Sequence, residues 1–375
     1  MFKKYKLKDF DFRLVILVFI ASGLGLMVVN SANDSYTNRQ LMGILIGAAL
    51  MLVIAFIDYS FVLKFYWVMY LGISALLAVT TYSSLGDDSK GAQRWIDIGP
   101  IRFQPSELAK IVLILFFAQY IMKNRKKINK ITTLIFAAIL FIIPAYMIHD
   151  QPDLSTTIIT IAIFCAILFA GGLSWRYIIA AFAIVVPIVV VIVFLAIQPD
   201  SSVLEKHQRE RILAFIYPEE YADSTAYQQK NSEIAIGSGR LNGKGYKNNE
   251  VTSVKTGGYI LEPHTDFIFA VYGEEFGFKG SVFLIAVLFS IVLECLYVAY
   301  KAKDTAGRLI AAGVGAWIGF QTFVNLGVTT FLLPNTGLPL PFVSYGLTSI
   351  LSLYIGIGFV LNVKFQQRKN GEVFL

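Results

Sequence analysis

The sequence predicts an all-α integral membrane protein, a single polytopic domain over residues 1–375 with ten membrane-spanning helices. Of its 375 residues, 56% are hydrophobic and only 15% are charged, a balance typical of membrane proteins. Long apolar runs recur along the whole chain, and lysine and arginine are concentrated in alternate connecting segments. These observations exclude an ordinary soluble domain.

The number of predicted spans follows from the lengths of the apolar runs. A helix needs about 20 apolar residues, within a range of about 17 to 25, to cross roughly 30 Å of hydrocarbon. Runs of about this length lie near 13–30, 41–57, 65–82, 107–122, 131–148, 156–172, 178–197, 280–300, 309–330 and 342–363.

The placement of basic residues predicts the orientation of the chain. Lysine and arginine in short loops resist translocation and therefore mark the cytoplasmic side. With the N-terminus inside, the cytoplasmic segments carry eighteen such residues and the short outer loops carry four. Both termini are therefore expected in the cytoplasm. The basic inner face suits anionic lipid headgroups and gives no reason to invoke nucleic acid.

The longest loop, 199–265, joins the seventh and eighth spans and is expected to be extracytoplasmic. It has few apolar runs with which to build its own core, so we expect it to pack on the helix bundle. Its glycine-rich stretch 236–246, "IGSGRLNGKGY", misses the spacing of a phosphate-binding loop. Those glycines are expected to allow turns instead.

Polar residues gather on the predicted outer face. All three histidines lie there, as do the polar segments 87–110, 149–157 and 333–349, whereas the inner loops are short and mainly basic. We therefore expect any chemistry at the outer face.

The start of the fourth span contains an unusual lysine. Pro105 and Ser106 are typical of a helix start, and Glu107 suits the positive end of the helix dipole. Lys110 opposes that dipole and enters an apolar run, so it needs an anionic partner. That partner is either Glu107, as an i,i+3 structural pair, or a phosphate-bearing ligand.

Other outer-face residues also have two interpretations. Trp95 is either an interfacial anchor or, beside Arg94, a contact for a lipid headgroup or sugar. Asp266 is either the cap of a helix that starts at the next residue or a general base. Glu274 and Glu275 are adjacent and cannot face one direction, so one is expected toward protein or a cavity and the other toward solvent or Lys279.

Four segments together resemble one protein family. They are "GAQRWIDIGPIRFQPSELAK", "QPDLST", "HTDFIFAVYGEEFGFKG" and "TGLPLPFVSYG", and they occur in the family's order over nearly the whole chain. On these motifs the chain resembles the shape, elongation, division and sporulation (SEDS) family, the RodA and FtsW group. Its compact termini favour the RodA branch.

The resemblance implies a peptidoglycan glycosyltransferase that polymerises lipid II at the outer face of the bacterial cytoplasmic membrane during elongation. Transfer would proceed with inversion and release of undecaprenyl diphosphate. The implied partners are a class B penicillin-binding protein transpeptidase and the elongation machinery. Dependence on a divalent cation, Mg or Mn, is expected for a diphosphate leaving group, but no ligand set has diagnostic spacing. Cys165 and Cys295 lie in apolar runs and indicate neither a disulfide nor a metal site.

The resemblance also assigns roles to residues. Asp266 would be the general base, Lys110 and Arg94 would neutralise the diphosphate, and Glu107 would orient Lys110 or help to hold a cation. Arg209 and Arg211 match an outer-loop segment that would bind diphosphate or acceptor, and Ser344 keeps its motif position. The full set of candidate substrate-binding residues is Lys110, Glu107, Arg94, Trp95, Arg209, Arg211 and Ser344.

The sequence departs from the family pattern at Ser155, Leu347 and Thr348, which lie beside motif residues and put local backbone geometry in doubt. Two alternatives from other functional classes remain. One is a lipid II flippase, which needs polar groups along a path through the membrane. The other is a noncatalytic scaffold for a transpeptidase.

Overall fold

A computed structural model describes residues 10–83, 94–98, 101–151, 153–198, 206–221, 226–247, 253 and 257–367. In these residues the chain is mainly helical, and the one small sheet is an antiparallel hairpin. The helices are α1 (Phe12–Ala32), α2 (Thr37–Phe56), α3 (Tyr59–Val62), α4 (Tyr66–Tyr82), α5 (Pro105–Lys123), α6 (Ile131–Asp150), α7 (Leu154–Ala170), α8 (Trp175–Ile197), α9 (Lys206–Ile216), α10 (Tyr227–Ser238), α11 (Ile268–Tyr300), α12 (Thr305–Thr329) and α13 (Leu347–Phe365). The strands are β1 (Ile96–Ile98) and β2 (Ile101–Phe103).

The predicted class of multi-pass helical membrane protein is confirmed. Within the described residues, nine helices are long and apolar enough to cross a membrane. The remaining predicted span, 156–172, coincides with α7, which is apolar but has 17 residues. At 1.5 Å per residue such a helix is about 25 Å long, near the lower limit for a span. The count of ten therefore stays a prediction.

The bundle has a packed centre and a lipid-facing periphery. α5 and α13 are mostly buried, and α12 contacts α5, α7, α11 and α13. Trp317 of α12 and Tyr354 of α13 are fully buried in this centre. None of the α8 side chains whose burial the structure describes is buried, as expected for a helix surrounded by lipid.

The described part of the long loop packs on the bundle through α10. The side-chain amide of Gln229 donates to the carbonyl oxygens of Val328 (2.9 Å) and Leu333 (2.8 Å). The Ser232 hydroxyl donates to the Thr329 carbonyl at 2.8 Å. These bonds satisfy polar groups where α12 ends and fix α10 against it.

A break in α11 receives the glycine-rich segment of the loop. Gly277 has φ +62° and ψ −162°, and the Phe278 amide beyond it donates to the Arg240 carbonyl at 2.8 Å. A Cβ atom at Gly239 or Gly243 would lie only 2.1 Å from a carbonyl oxygen of α11. These two glycines are therefore needed for close backbone approach, in addition to the turns that the sequence predicts.

The expectation that Glu274 or Glu275 contacts solvent or Lys279 is wrong. Both carboxylates are buried, because the docked loop covers them. Lys244 Nζ lies 2.7 Å from Glu274 Oε1, and the Ser31 hydroxyl of α1 donates to Glu275. Two adjacent acids thus face different elements, and each has a partner from outside its own helix.

Candidate active site

The backbone that carries Asp266 is held by two other parts of the chain. The Tyr345 amide donates to the His264 carbonyl at 2.9 Å, and the Ser344 hydroxyl donates to the Thr265 carbonyl at 2.6 Å. The side-chain amide of Asn325 in α12 donates to the Asp266 carbonyl at 2.7 Å. Segment 264–266 is therefore fixed between α12 and the loop that precedes α13.

The Asp266 carboxylate does not cap a helix. α11 begins at Ile268, its N-cap is Phe267, and no side chain makes a capping hydrogen bond there. The carboxylate is instead half-buried beside Gly337, where a Cβ atom would lie 3.3 Å from Asp266 Oδ2. Gly337 has φ +75°, a conformation that favours glycine. The capping interpretation is not what the structure shows.

Electrostatics around Asp266 suit a base that works near neutral pH. Burial raises the pKa of its carboxyl to about 6, while Arg211 and Arg94 oppose that rise and Glu262 and Asp153 reinforce it. At pH 7 a group with this pKa is mostly ionised and can accept a proton. General base catalysis is most effective when the pKa lies near the working pH.

The two arginines of α9 have different surroundings. Arg211 is half-buried, and its Nη1 donates to the Asn335 carbonyl at 3.4 Å. Burial and the nearby Arg94 lower its pKa, and Asp266 opposes this. Arg209 Nη2 donates to the Gln198 carbonyl at 2.8 Å. Because residues two apart on a helix do not share a face, Arg211 acts on Asp266 and Arg209 is directed elsewhere.

Arg94 joins the hairpin to the segment "QPDLST". Its Nε donates to the Gln151 carbonyl at 2.9 Å, and Gln104 Nε2 donates to Asp153 Oδ2 at 3.2 Å. Asp153 also caps α7, accepting from the Thr156 amide at 3.0 Å. Two of the four motif segments therefore share polar contacts at one place, and Arg94 and Asp153 from these two segments both act on Asp266 of a third.

Two of the three departures from the family pattern, Ser155 and Thr348, are accommodated by hydrogen bonds. The Ser155 hydroxyl donates to the Thr336 carbonyl and so links α7 to the loop that carries Gly337. The Thr348 hydroxyl donates to the Arg102 carbonyl at 3.1 Å and accepts from the Gln104 amide at 3.2 Å. These hydroxyls form additional hydrogen bonds between elements of the site.

Lys110 is fully buried and forms the predicted i,i+3 pair. Its Nζ lies 2.7 Å from Glu107 Oε1, donates to Gln321 Oε1 at 3.1 Å, and is 4.7 Å from the centre of the Trp317 ring. Gln321 Nε2 in turn donates to the Pro339 carbonyl at 2.9 Å. Lys110 therefore lies behind the loop at Pro339.

Ser344 and Trp95 lie in contrasting places. The Ser344 hydroxyl is buried, and it accepts from the Leu340 amide at 2.7 Å while donating to Thr265. This geometry gives it a supporting position, and direct substrate contact stays a prediction. Trp95 is half-buried in the wall of a cavity of about 370 Å³.

Within the described residues, no three His, Cys, Asp or Glu side chains converge in a way that could hold a metal ion. Glu107 Oε2 is buried and has no hydrogen-bond partner, but one carboxylate oxygen is too few for a divalent cation. In the part of the chain that the structure describes, no residues are therefore identified for the expected Mg or Mn.

Comparison with known proteins decides the family. The sequence model of the family described as "Cell cycle protein", which groups FtsW, RodA and SpoVE, matches residues 10–369. The chain belongs to this family. The resemblance seen in the four motifs is confirmed.

Relatives in the FtsW, RodA and SpoVE family match over almost their full length. The chain is 33% identical over 352 residues to "Peptidoglycan glycosyltransferase MrdB" of Escherichia coli (strain K12), covering 93% of this chain and 91% of that protein. It is 35% identical over 363 residues to "Probable peptidoglycan glycosyltransferase FtsW" of Taylorella equigenitalis, covering 94% and 95%.

Solved structures share the fold. The crystal structure of the Thermus thermophilus rod shape determining protein RodA aligns with a TM-score of 0.70 at 26% identity, covering 96% of this chain and 98% of that chain. A chain of a peptidoglycan synthase complex, described for its structural coordination of polymerization and crosslinking, aligns with a TM-score of 0.78 at 28% identity, covering 95% and 97%.

Sequence reasoning missed residues of the site, among them Asp153 and Gly337. Asp153 is one of the four charged groups that act on the Asp266 carboxyl, and Gly337 adjoins that carboxylate directly. Both lie inside motifs of this family, "QPDLST" and "TGLPLPFVSYG". That membership was the signal that could have identified them.

Proposed function

We propose that this chain is a peptidoglycan glycosyltransferase that polymerises lipid II into glycan strands during cell elongation. The enzyme class follows from family membership and from the names of the matched relatives. The observation that carries the mechanism is the half-buried Asp266 carboxylate, with a pKa near 6 and two arginines acting on it.

In the proposed reaction, Asp266 accepts the proton of the 4-hydroxyl on the acceptor N-acetylglucosamine. The hydroxyl oxygen attacks the anomeric carbon of the donor N-acetylmuramic acid from the face opposite the leaving group. The bond to the lipid diphosphate breaks, its electron pair stays on the diphosphate, and the configuration inverts. Fixed cations near the developing negative charge lower the barrier to such a step.

Arg94 and Arg211 are the cations best placed for the leaving diphosphate. Both act on Asp266, and guanidinium groups suit phosphate geometry. Lys110 is fully buried against Glu107 and Gln321, so we assign it a positioning role behind the loop at Pro339. This assignment replaces the direct phosphate contact that the sequence suggested.

The orientation is part of the proposal. We place both termini in the cytoplasm and α10 outside the cell, on the basis of the basic residues in the short loops. A transpeptidase partner is supported by the similarity to a chain of a complex that coordinates polymerization and crosslinking. The partner's identity as a class B penicillin-binding protein rests on the family resemblance.

Asp266→Asn tests the enzymatic proposal against the scaffold and the flippase. We expect polymer synthesis from purified lipid II, measured with the partner in detergent, to fall by about 10² to 10⁴ because the general base is lost. Thermal stability and partner binding should be retained, since asparagine keeps the shape of the side chain. Undiminished polymer synthesis would contradict a base at Asp266.

Asp304→Asn is the matched control. Asp304 caps α12 by accepting from the Gly307 amide at 2.8 Å, and asparagine caps about as well as aspartate. Its polymer synthesis should stay near that of the unsubstituted protein. A loss as large as that of Asp266→Asn would show that the assay reports damage to the bundle.

Cysteine labelling tests the orientation. With Cys165 replaced by serine, Glu233→Cys on the exposed face of α10 should react with an impermeant maleimide in intact cells. Lys126→Cys, in the exposed loop after α5, should react only after lysis. The opposite pattern would invert the proposed topology.

A further inference from the structure

Six exposed cations gather at the end of the bundle opposite the candidate active site. They lie where α4 begins, where α5 ends and in the turn from α5 to α6, and we call them the basic surface: Lys64, Lys123, Arg125, Lys126, Lys127 and Lys130. No aspartate or glutamate occurs in residues 59–67 or 120–135. The carboxylate of Asp58, just before the first of these ranges, accepts from Gln366 Nε2 at 3.0 Å at the end of α13. Among the described residues, none of the six cations forms an ion pair.

Hydrogen bonds join the segments that carry these cations. Lys123 Nζ, in the last turn of α5, donates to the Tyr66 hydroxyl at 3.3 Å and lies 4.5 Å from the centre of the Tyr66 ring. The Ser174 amide donates to Asn129 Oδ1 at 2.7 Å, and the Tyr177 hydroxyl donates to the Asn129 carbonyl at 2.9 Å. The turn from α5 to α6 therefore connects the start of α4 with the start of α8.

This turn lies flat against the ends of the helices. The Lys127 amide donates to the Asn124 carbonyl at 2.7 Å, the Lys130 amide donates to the Lys127 carbonyl at 2.9 Å, and the Ile128 side chain is buried. The adjoining helices α4, α5, α6 and α8 all belong to candidate membrane spans. Cations fixed at the ends of four such spans lie at the depth of lipid headgroups and do not project as a free loop would.

Two exposed tryptophans flank the basic surface. Trp67 follows Tyr66 in α4, and Trp175 begins α8 directly before the exposed Arg176. Tryptophan is enriched at the boundary between membrane and water, where its amphipathic ring lies among the headgroups. These neighbours favour a lipid over a soluble protein as the occupant of the basic surface.

Other cations at this end of the bundle have acidic neighbours. Lys364 Nζ lies 3.8 Å from Asp11 Oδ2. Lys303 directly precedes Asp304, whose Oδ2 accepts from the Tyr59 hydroxyl at 2.9 Å near the start of α4. A general excess of basic residues on one face therefore does not account for the basic surface, because its lack of carboxylates is local.

From this placement we infer that the basic surface binds the phosphate groups of anionic phospholipids, with their acyl chains beside α4 and α8. A cation close to an anionic membrane surface strengthens binding by about fivefold. On the proposed orientation, the bound lipids belong to the cytoplasmic leaflet. The inference does not depend on the proposed glycosyltransferase activity, because it rests on charge and on the positions of the span ends.

The melting temperature of the purified full chain in neutral detergent tests the occupant. A ligand that binds only the folded protein raises this temperature as its concentration rises. Phosphatidylglycerol is titrated beside phosphatidylcholine, inorganic phosphate and a polyglutamate peptide. We expect phosphatidylglycerol to act at the lowest concentration. An equal effect of phosphatidylcholine would reject the role of charge, an equal effect of phosphate would reject a lipid, and a stronger effect of polyglutamate would identify an acidic peptide instead.

Two variants with the same loss of charge test the location. Lys126→Gln with Lys127→Gln removes two exposed cations of the basic surface, and Lys301→Gln with Lys303→Gln removes two exposed cations between α11 and α12. We expect the first variant to need about tenfold more phosphatidylglycerol, or more, for the half-maximal shift, and the second to resemble the unsubstituted chain. Equal changes would reveal a diffuse charge effect and overturn the inference.

The melting temperature without lipid shows whether each variant is folded. If the double variant of the turn melts early, the single variants Lys126→Gln and Lys303→Gln repeat the comparison. About a fivefold change is then expected for Lys126→Gln alone. An unchanged phosphatidylglycerol titration of Lys126→Gln would overturn the inference.

Discussion

Lys110 and Asp266 both lie near the predicted outer face, but they differ in how many partners the protein supplies for their charges. Lys110 is fully buried, lies on Trp317, and has two side-chain acceptors within 3.1 Å. Asp266 is half-buried, and within the described residues its carboxylate makes no hydrogen bond or ion pair. Arg211 and Arg94 act on it through space.

If Asp266 is the proposed base, this difference separates a structural charge, that of Lys110, from a reactive one. A charge whose partners are supplied by the protein gains little from a ligand, whereas a half-open carboxylate has capacity for a substrate hydroxyl. Charged motif residues in this family therefore need not share a role, even when they lie in adjacent motifs. Removing Lys110 and removing Asp266 should produce different kinds of damage.

The largest effect on stability is expected from Lys110→Met. This substitution leaves the Glu107 carboxylate buried without its cation, which typically costs about 3 to 5 kcal/mol. We expect a large fall in the melting temperature of the purified protein, together with loss of polymer synthesis. Asp266→Asn should lose synthesis without that fall.

A double variant tests whether Lys110 has more than a structural role. Glu107→Gln with Lys110→Met removes both charges, and Gln321 Oε1 still accepts from Trp317 Nε1 at 2.8 Å. Stability should largely return, because no uncompensated charge remains. Restored polymer synthesis would show that Lys110 only compensates the Glu107 charge, whereas restored stability without synthesis would show that Lys110 also serves the reaction, by positioning or by phosphate contact.

The sequence predicted the helical class and the position of most spans, because these depend on local composition. It also predicted the ion pair between Lys110 and Glu107, because residues three apart on a helix are neighbours. It could not identify Gln321 as a partner of Lys110, or the docking of Gly243 on α11. Those contacts join residues far apart in the chain, and no local pattern encodes them.

A smaller effect is expected in the pH dependence of polymer synthesis, which should follow the ionisation of Asp266. Polymer synthesis should rise with pH through about 6, because the base must be ionised. Arg211→Gln removes a cation that stabilises the carboxylate, so the pKa of Asp266 should rise and the acid limb should move to higher pH. The measurement is kcat/KM between pH 5 and 8 in buffers of constant ionic strength.

Arg209→Gln is the control for that shift. Arg209 lies two residues away on α9, donates to the Gln198 carbonyl, and is not among the charges that act on Asp266. Its acid limb should coincide with that of the unsubstituted protein. An equal shift in both variants would indicate a general charge effect. Arg211 would then have no particular influence on the pKa of Asp266.

The smallest expected effect on stability, and the most local test of the comparison, is Gly337→Ala. Its Cβ atom would lie 3.3 Å from Asp266 Oδ2, at a residue with φ +75°. Strain of this kind costs about 1 to 2 kcal/mol. Gly172→Ala imposes similar strain at φ +91°, with nothing within 4 Å of the added atom. Both variants should melt slightly earlier, but only Gly337→Ala should lower kcat, because only there does the methyl group displace the carboxylate. Equal kcat in the two variants would show that the half-open carboxylate tolerates displacement and does not need the position that Gly337 allows.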